Sequence, residues 1–207
     1  MHPRAEPSPS GSGIDRRLEV IRAGFAGDVA TARGALDDAD EMVRVSALRA
    51  LERAGDLTTA ELAGATRDDS AEVRRAAAEL AARHRDVEIT ALVDDTDKFV
   101  AEMAAWALGE RDHPSDHEID VLIDRTTSHA EAIVREACAA SLGSIGDVRG
   151  LPAILAACRD KPAVRRRAVL ALAPFDGPDV DAALRAALED RDWQVRQNAE
   201  DLLSPRL

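Results

Sequence analysis

The stretch Val134–Asp147, VREACAASLGSIGD, is written several times over in this chain. Its copies begin at Val43-Arg44, Val73-Arg74, Val134-Arg135, Val164-Arg165 and Val195-Arg196, with a degenerate copy at Val100-Ala101. Successive valines lie 27 to 34 residues apart. Self-similarity at such a period marks stacked repeats before any other fold is considered. Within a copy, small or apolar residues fall three, four, seven and eight positions after the valine. The fourth copy places Ala137, Cys138, Ser141 and Leu142 there, and the first places Ser46, Ala47, Ala50 and Leu51. This is the spacing of a single helical face. The face is mostly alanine, so neighbouring helices can approach closely. One helix pair with such small side chains cannot close a core by itself.

A second short helical pattern precedes each copy, as in Leu151, Ile154, Leu155 and Cys158, or Val180, Ala183, Leu184, Ala187 and Leu188. Gly-Asp pairs open several of these, at Gly27-Asp28, Gly55-Asp56 and Gly146-Asp147. Glycine ending one helix and aspartate starting the next is a stop-and-start signal. Each unit therefore reads as a helical hairpin with a first arm A and a second arm B. The B arms are predicted near 41–53, 71–83, 98–109, 132–143, 162–173 and 193–203. Pro174 is expected to end the fifth of them. Ile14 to Phe25 reads as a half-repeat covering the first hairpin, and Trp193 as a side chain folded over the last. The fold class expected is an all-α solenoid, or superhelix, of about six hairpins. Residues 1–13 are rich in Pro, Ser and Gly and read as a disordered tail, with residues 14–207 as the repeat domain.

An acid recurs five residues before the B-arm valine, at Asp38, Asp68, Asp95 and Asp190. There it would cap the arm or complement its dipole from the first turn. The arginine after the valine sits about 100° further round the helix, at the edge of the buried face. A structural ladder of Asp and Arg through the stack is expected, with Arg44, Arg74, Arg135, Arg165 and Arg196 as its rungs.

The pattern V-R-x-x-A-x-x-A-L-x-x-x-G-D, with an upstream arm such as Gly150-Leu151-Pro152-Ala153-Ile154-Leu155, resembles the HEAT repeats of the phycobilisome-lyase type. The resemblance extends over nearly the whole chain from about residue 14. It implies an α-solenoid whose B arms line a concave surface. It implies little about activity, because the family includes bilin lyases, a hydroxylase of modified lysine and many binding scaffolds. The hydroxylase members bind a di-iron centre through several His-Glu pairs at corresponding repeat ends. This chain has one such pair, His117-Glu118, so that activity is not carried over.

Composition narrows the choice. Aromatic residues make up 2% of the chain, with no tyrosine, and the formal net charge is −12. Nucleic-acid binding usually needs a strongly basic face, so this balance argues against it. The opening MHPRAEPSPSGSG has no apolar core of a signal peptide, and no run approaches membrane-spanning length. The expectation is a cytoplasmic protein with no membrane segment and two reduced thiols, Cys138 and Cys158, packed as small hydrophobes.

The third unit breaks the pattern. Ala101 stands where the ladder arginine belongs, and the linker Gly109 to Glu118 is longer than its equivalents. Insertions in repeat proteins map to loops on one face, and local rule-breaking is where function is expected. Trp106, six residues after its valine, points away from the apolar stripe; its counterparts are Arg49, Glu79, Ala140, Leu170 and Asp201. An exposed Trp is a frequent interface anchor. Arg75, Glu79, Glu102, Glu136, Arg166 and Leu170 share its inferred surface, a mixed-charge set that suits a protein partner better than a polyanion. His113, His117, Glu118 and His129, with Asp116, could be imagined around a metal, but three of the ligands lie in a loop. There is no Ser-His-Asp elbow, P-loop or GxGxxG.

The reading is a non-catalytic scaffold that binds a protein or peptide, with no catalytic, cofactor or metal residues assigned. Two alternatives stay open: a bilin-lyase-like or metal-dependent enzyme using the His113–His129 region, and a nucleic-acid binder. The sequence leaves the partner and the oligomeric state undetermined.

Overall fold

A computed structural model describes residues 12–204. Among them are twelve α-helices and two short 3₁₀ turns, with no strand. The fold class is an all-α solenoid. Two compact units are delimited, Met1–Ala77 and Ala78–Leu207.

In the first unit, α1 (Gly13–Ala26) packs on α3 (Glu41–Ala54), and α2 (Val29–Gly34) packs on both. α4 (Thr59–Ala65) follows, then the start of α5 (Ala71–Ala81). Val43, Ala47, Leu48, Ala50 and Leu51 of α3 are buried, as are Leu62 and Val73. The second unit contains α6 (Lys98–Gly109), α7 (Asp116–Ser128), α8 (Ala132–Ile145) and α9 (Leu151–Ala157). It continues with α10 (Pro162–Ala171), α11 (Pro178–Ala187) and α12 (Trp193–Leu203). Its B arms form one row, α6 on α8, α8 on α10 and α10 on α12, while the A arms α7 and α9 pack together behind. Small residues set this row's spacing. A Cβ added at Gly109 would come within 2.4 Å of Ser141, and one at Gly143 within 2.7 Å of Ala171.

Helix ends follow local chemistry. Gly27, Gly55 and Gly146 all stop helices in the left-handed region, where glycine carries no Cβ penalty. Asp28 then caps α2, whereas Asp56 does not cap α4: Thr58 does, in a capping box with Glu61. α10 stops at Ala171, three residues before Pro174.

Four expectations need correction. The third hairpin has no α-helical A arm. Residues Thr90–Asp94 form a 3₁₀ turn instead, because only five residues separate Ile89 from Asp95, the Asp that precedes α6. Trp193 is not packed as a cap among the described residues; as the first residue of α12 it is 64% exposed. Of the stretch read as a disordered tail, residues 1–11 lie outside the described residues, while Ser12 caps α1 and Gly13 begins it. Finally, the recurring acid is not the N-cap. Asp40, Asp97 and Asp192 are the caps, three residues before their valines. Asp38, Asp95 and Asp190 stand two residues earlier and accept the backbone N–H of those caps, at 2.8 Å in each case. Asp68 does the same for Ser70 at 2.8 Å.

The acid's second bond is to arginine. Arg44 forks Asp68 at 2.9 and 2.7 Å, and Arg165 forks Asp190 at 2.8 and 2.8 Å. Arg135 forks Asp160 at 2.6 and 2.9 Å. A further fork, Arg16 to Asp38 at 2.8 and 2.9 Å, starts the ladder from the half-repeat. The five arginines that follow a B-arm valine also donate to their own unit's connecting loop: Arg44 to the Asp38 carbonyl, Arg74 to that of Asp68, Arg135 to His129, Arg165 to Asp160 and Arg196 to Asp190. One planar guanidinium thus ties a loop to the next repeat's acid, which a point-charge lysine could not do at both ends. The forks hold the Asp160 and Asp190 carboxyls below their ordinary range, against an opposing effect of burial.

The rung between the third and fourth units is missing at both ends. Ala101 replaces the arginine and His129 replaces the acid. His129 Nδ1 accepts the Glu131 N–H at 3.1 Å, doing for α8 what the Asp does elsewhere. A different pair crosses this seam, with Arg125 of α7 forking Asp94 at 2.7 and 2.8 Å.

Candidate functional site

Glu102, Trp106 and Glu110 follow one another at four-residue intervals along α6 and its C-cap, so they share one face. The burial of Val100, Ala101, Ala104, Ala105, Ala107 and Leu108 turns that face outward and leaves the indole 42% exposed. The facing wall is α8, whose Ile133, Glu136, Ala137 and Ala140 recur at helical spacing. Between the two helices lies a groove of about 680 Å³. Met103, Glu79 from the end of α5 and Arg167 of α10 complete its lining. Ala137 and Ala140 contribute only methyl groups to the lining.

Charge in the groove is unbalanced. Its lining has four carboxylates, Glu79, Glu102, Glu110 and Glu136, and one guanidinium, Arg167. Arg167 stands 3.6 Å from Glu136, with both side chains partly exposed. Glu110 is exposed and forms no ion pair among the described residues.

Of the residues predicted to share a surface, Trp106, Glu79, Glu102 and Glu136 meet in this groove. Arg166 does not line it; its guanidinium is turned to Asp192, at 2.5 and 3.0 Å. Leu170 is 41% exposed and lies outside the lining. Arg75 belongs to the first unit, where it pairs with Glu72 at 2.7 Å. Sequence reasoning missed Glu110, Met103, Ile133, Ala137, Ala140 and Arg167. Stepping four residues either way from Trp106, and along the α8 face, would have found most of them.

The irregular linker is built around a buried ion pair that the sequence did not announce. Arg111 is 6% exposed and contacts the Glu118 carboxylate. It also donates to the carbonyls of Ala81 and Val87 at 3.1 and 2.7 Å. Glu118 is held in turn by the Ser115 backbone N–H and hydroxyl, as part of the capping box of α7. His117 lies 3.4 Å from the Thr90 hydroxyl, and His113 has a positive φ of 55°. Among the described residues no group of three or more His, Cys, Asp or Glu side chains is placed to hold a metal ion. Cys138 is buried and its thiol is pushed up to about 12 by burial; that of Cys158 is pushed up to about 11 for the same reason. Neither cysteine forms a disulfide among the described residues. No described helix is long and apolar enough to cross a membrane.

Residues 119–204 match the family model for HEAT repeats. Among solved structures, YibA of E. coli is similar, with a TM-score of 0.65 and 17% identity over 96% of this chain and 77% of that one. A designed armadillo repeat protein aligns with a TM-score of 0.55 and 16% identity over 86% of this chain and 98% of its own. Another, in complex with the peptide (KR)4, aligns with a TM-score of 0.54 and 16% identity over 93% of this chain and 98% of its own. No curated protein matches the sequence. At such identities the likeness concerns the fold. The likenesses and the ladder of repeats together make this an all-α repeat protein, whose residues 119–204 match the model for HEAT repeats.

Proposed function

We propose that the protein is a non-catalytic interaction scaffold, of the phycobilisome-lyase-like HEAT type, that binds a protein or peptide on its B-arm surface, the concave side by analogy with such repeats. The observation that carries the reading is the groove between α6 and α8, with the part-exposed Trp106 standing among carboxylates and alanines. Interface hot spots are enriched in such rigid aromatic anchors. Arg166 and Leu170, which do not line the groove, would contribute only to a partner long enough to reach them, and Arg75 would serve a partner of the first unit. The acidic lining disfavours a polyanion, since phosphate contacts need cations.

The test is capture from the native cell by the tagged protein and by its Trp106→Ala variant, read by mass spectrometry. The expected result is a defined set of proteins lost with the variant while its melting temperature is unchanged. Equal recovery by both would remove Trp106 and this groove from the account.

A further inference from the structure

We propose that the occupant of the α6–α8 groove is a Lys/Arg-rich peptide segment of a partner protein, with one cationic side chain laid on the Trp106 indole. This rests on the binding reading above and adds the chemistry of the ligand. The argument begins with α6. Glu102 and Glu110 stand four residues to either side of Trp106, about 6 Å along the axis in each direction. The indole face carries a negative quadrupole that attracts cations. Flanking it with two carboxylates strengthens that attraction and repels an anion from the same place. The facing wall adds Glu136 and the methyl groups of Ala137 and Ala140.

Lysine and arginine match this combination of surfaces. Their aliphatic stems can lie on methyl groups and the Met103 side chain while the charged heads reach the carboxylates. A purely apolar segment would cover the exposed Glu110 carboxylate and desolvate it while offering it no cation. An acidic segment would meet four glutamates against one arginine, and that arginine stands 3.6 Å from Glu136. The chain's net charge of −12 steers cationic partners from a distance, at a rate that falls with salt. A peptide of alternating Lys and Arg is what one of the armadillo designs holds.

The experiment uses the full chain with Trp193→Phe, so that Trp106 is the one remaining indole. A fluorescein-labelled octapeptide of alternating Lys and Arg is titrated, with Gly-Ser and all-Glu octapeptides as controls. Anisotropy reads binding and indole emission reads the site. The expected result is saturable binding of the basic peptide alone, with a shift in Trp106 emission and weakening as salt is raised. Glu110→Gln and Glu136→Gln, which keep shape and remove charge, are each expected to weaken it about threefold. Trp106→Ala is expected to weaken it about tenfold. Absence of saturable binding overturns the proposal. So does binding that leaves Trp106 emission and both Gln variants unchanged, since the acidic surface at large would then be responsible. Equal binding of all three octapeptides, lost with Trp106→Ala, also overturns it while leaving the docking groove itself intact.

Discussion

Arg135→Ala tests the ladder most directly. The side chain is 10% exposed and forks Asp160, itself 21% exposed. It also donates to the His129 and Ala130 carbonyls at 2.7 and 3.0 Å. Truncation removes four hydrogen bonds and leaves a carboxylate and a loop without their partner. Breaking a fully buried pair costs about 3–5 kcal/mol. Here the Lys161 N–H still donates to Asp160, at 2.6 Å, and water reaches the carboxylate. The expected cost is therefore lower, about 2–3 kcal/mol. Arg135→Lys keeps the charge but cannot fork the acid and hold the loop together, and is expected to lose about 1–2 kcal/mol. Urea unfolding followed by far-UV circular dichroism, with midpoint and slope compared, reads both. The pH dependence supplies a sign. Arg135 holds the Asp160 carboxyl below its ordinary range, with burial opposing. A depressed carboxyl contributes stability that is fully present above the unfolded value of about 3.9 and is lost as pH falls through the folded one. The gap between wild type and Arg135→Ala should accordingly be constant near neutrality and shrink below about pH 4. A cost under about 0.5 kcal/mol, a lysine equal to the arginine, or a gap that widens in acid would refute the reasoning.

Gly143→Ala is expected to destabilise by about 1–3 kcal/mol in the same urea assay, because the new methyl would meet the Ala171 backbone at 2.7 Å and push α8 from α10. Gly64→Ala, within α4 and with nothing inside 4 Å, is expected to stabilise by about 0.5–1 kcal/mol, and a loss there would contradict the geometry. At pH 8 both thiols should react with a maleimide far more slowly than after unfolding, Cys138 slower than Cys158, since burial keeps both protonated; labelling of the native protein at the unfolded rate would contradict their placement.

The repeat was legible because its signal is redundant. A valine, an arginine and an alanine stripe recur six times with few exceptions, and the B arms fall where that wording places them. What was not legible depends on single residues. The sequence spacing for the ladder acid misses Asp160, which sits one position closer to its valine than Asp38 does to Val43. The Arg111–Glu118 pair joins a linker to a helix start and has no counterpart to compare. The collapse of the third A arm into a 3₁₀ turn follows from a shortened spacing whose meaning only packing reveals. For the groove, Trp106 and three carboxylates were readable from helical angle. Arg166 and Leu170 do not line the groove, and for Arg166 the angle around one helix says nothing about which neighbour a long side chain turns to.

The doubly altered seam between the third and fourth units acts as a keyed joint. At the forks of Arg44, Arg135 and Arg165 one repeat offers an arginine forward and the next an acid backward, so these modules have interchangeable connectors. At Ala101 and His129 both connectors have been cut away, and Arg125 with Asp94 forms a lock of another shape. Transposing the fourth unit to any other place would set a histidine before a guanidinium and strand an aspartate opposite an alanine. The order of modules around the groove is thus written into the chain, and duplication or shuffling of units would be penalised most beside Trp106.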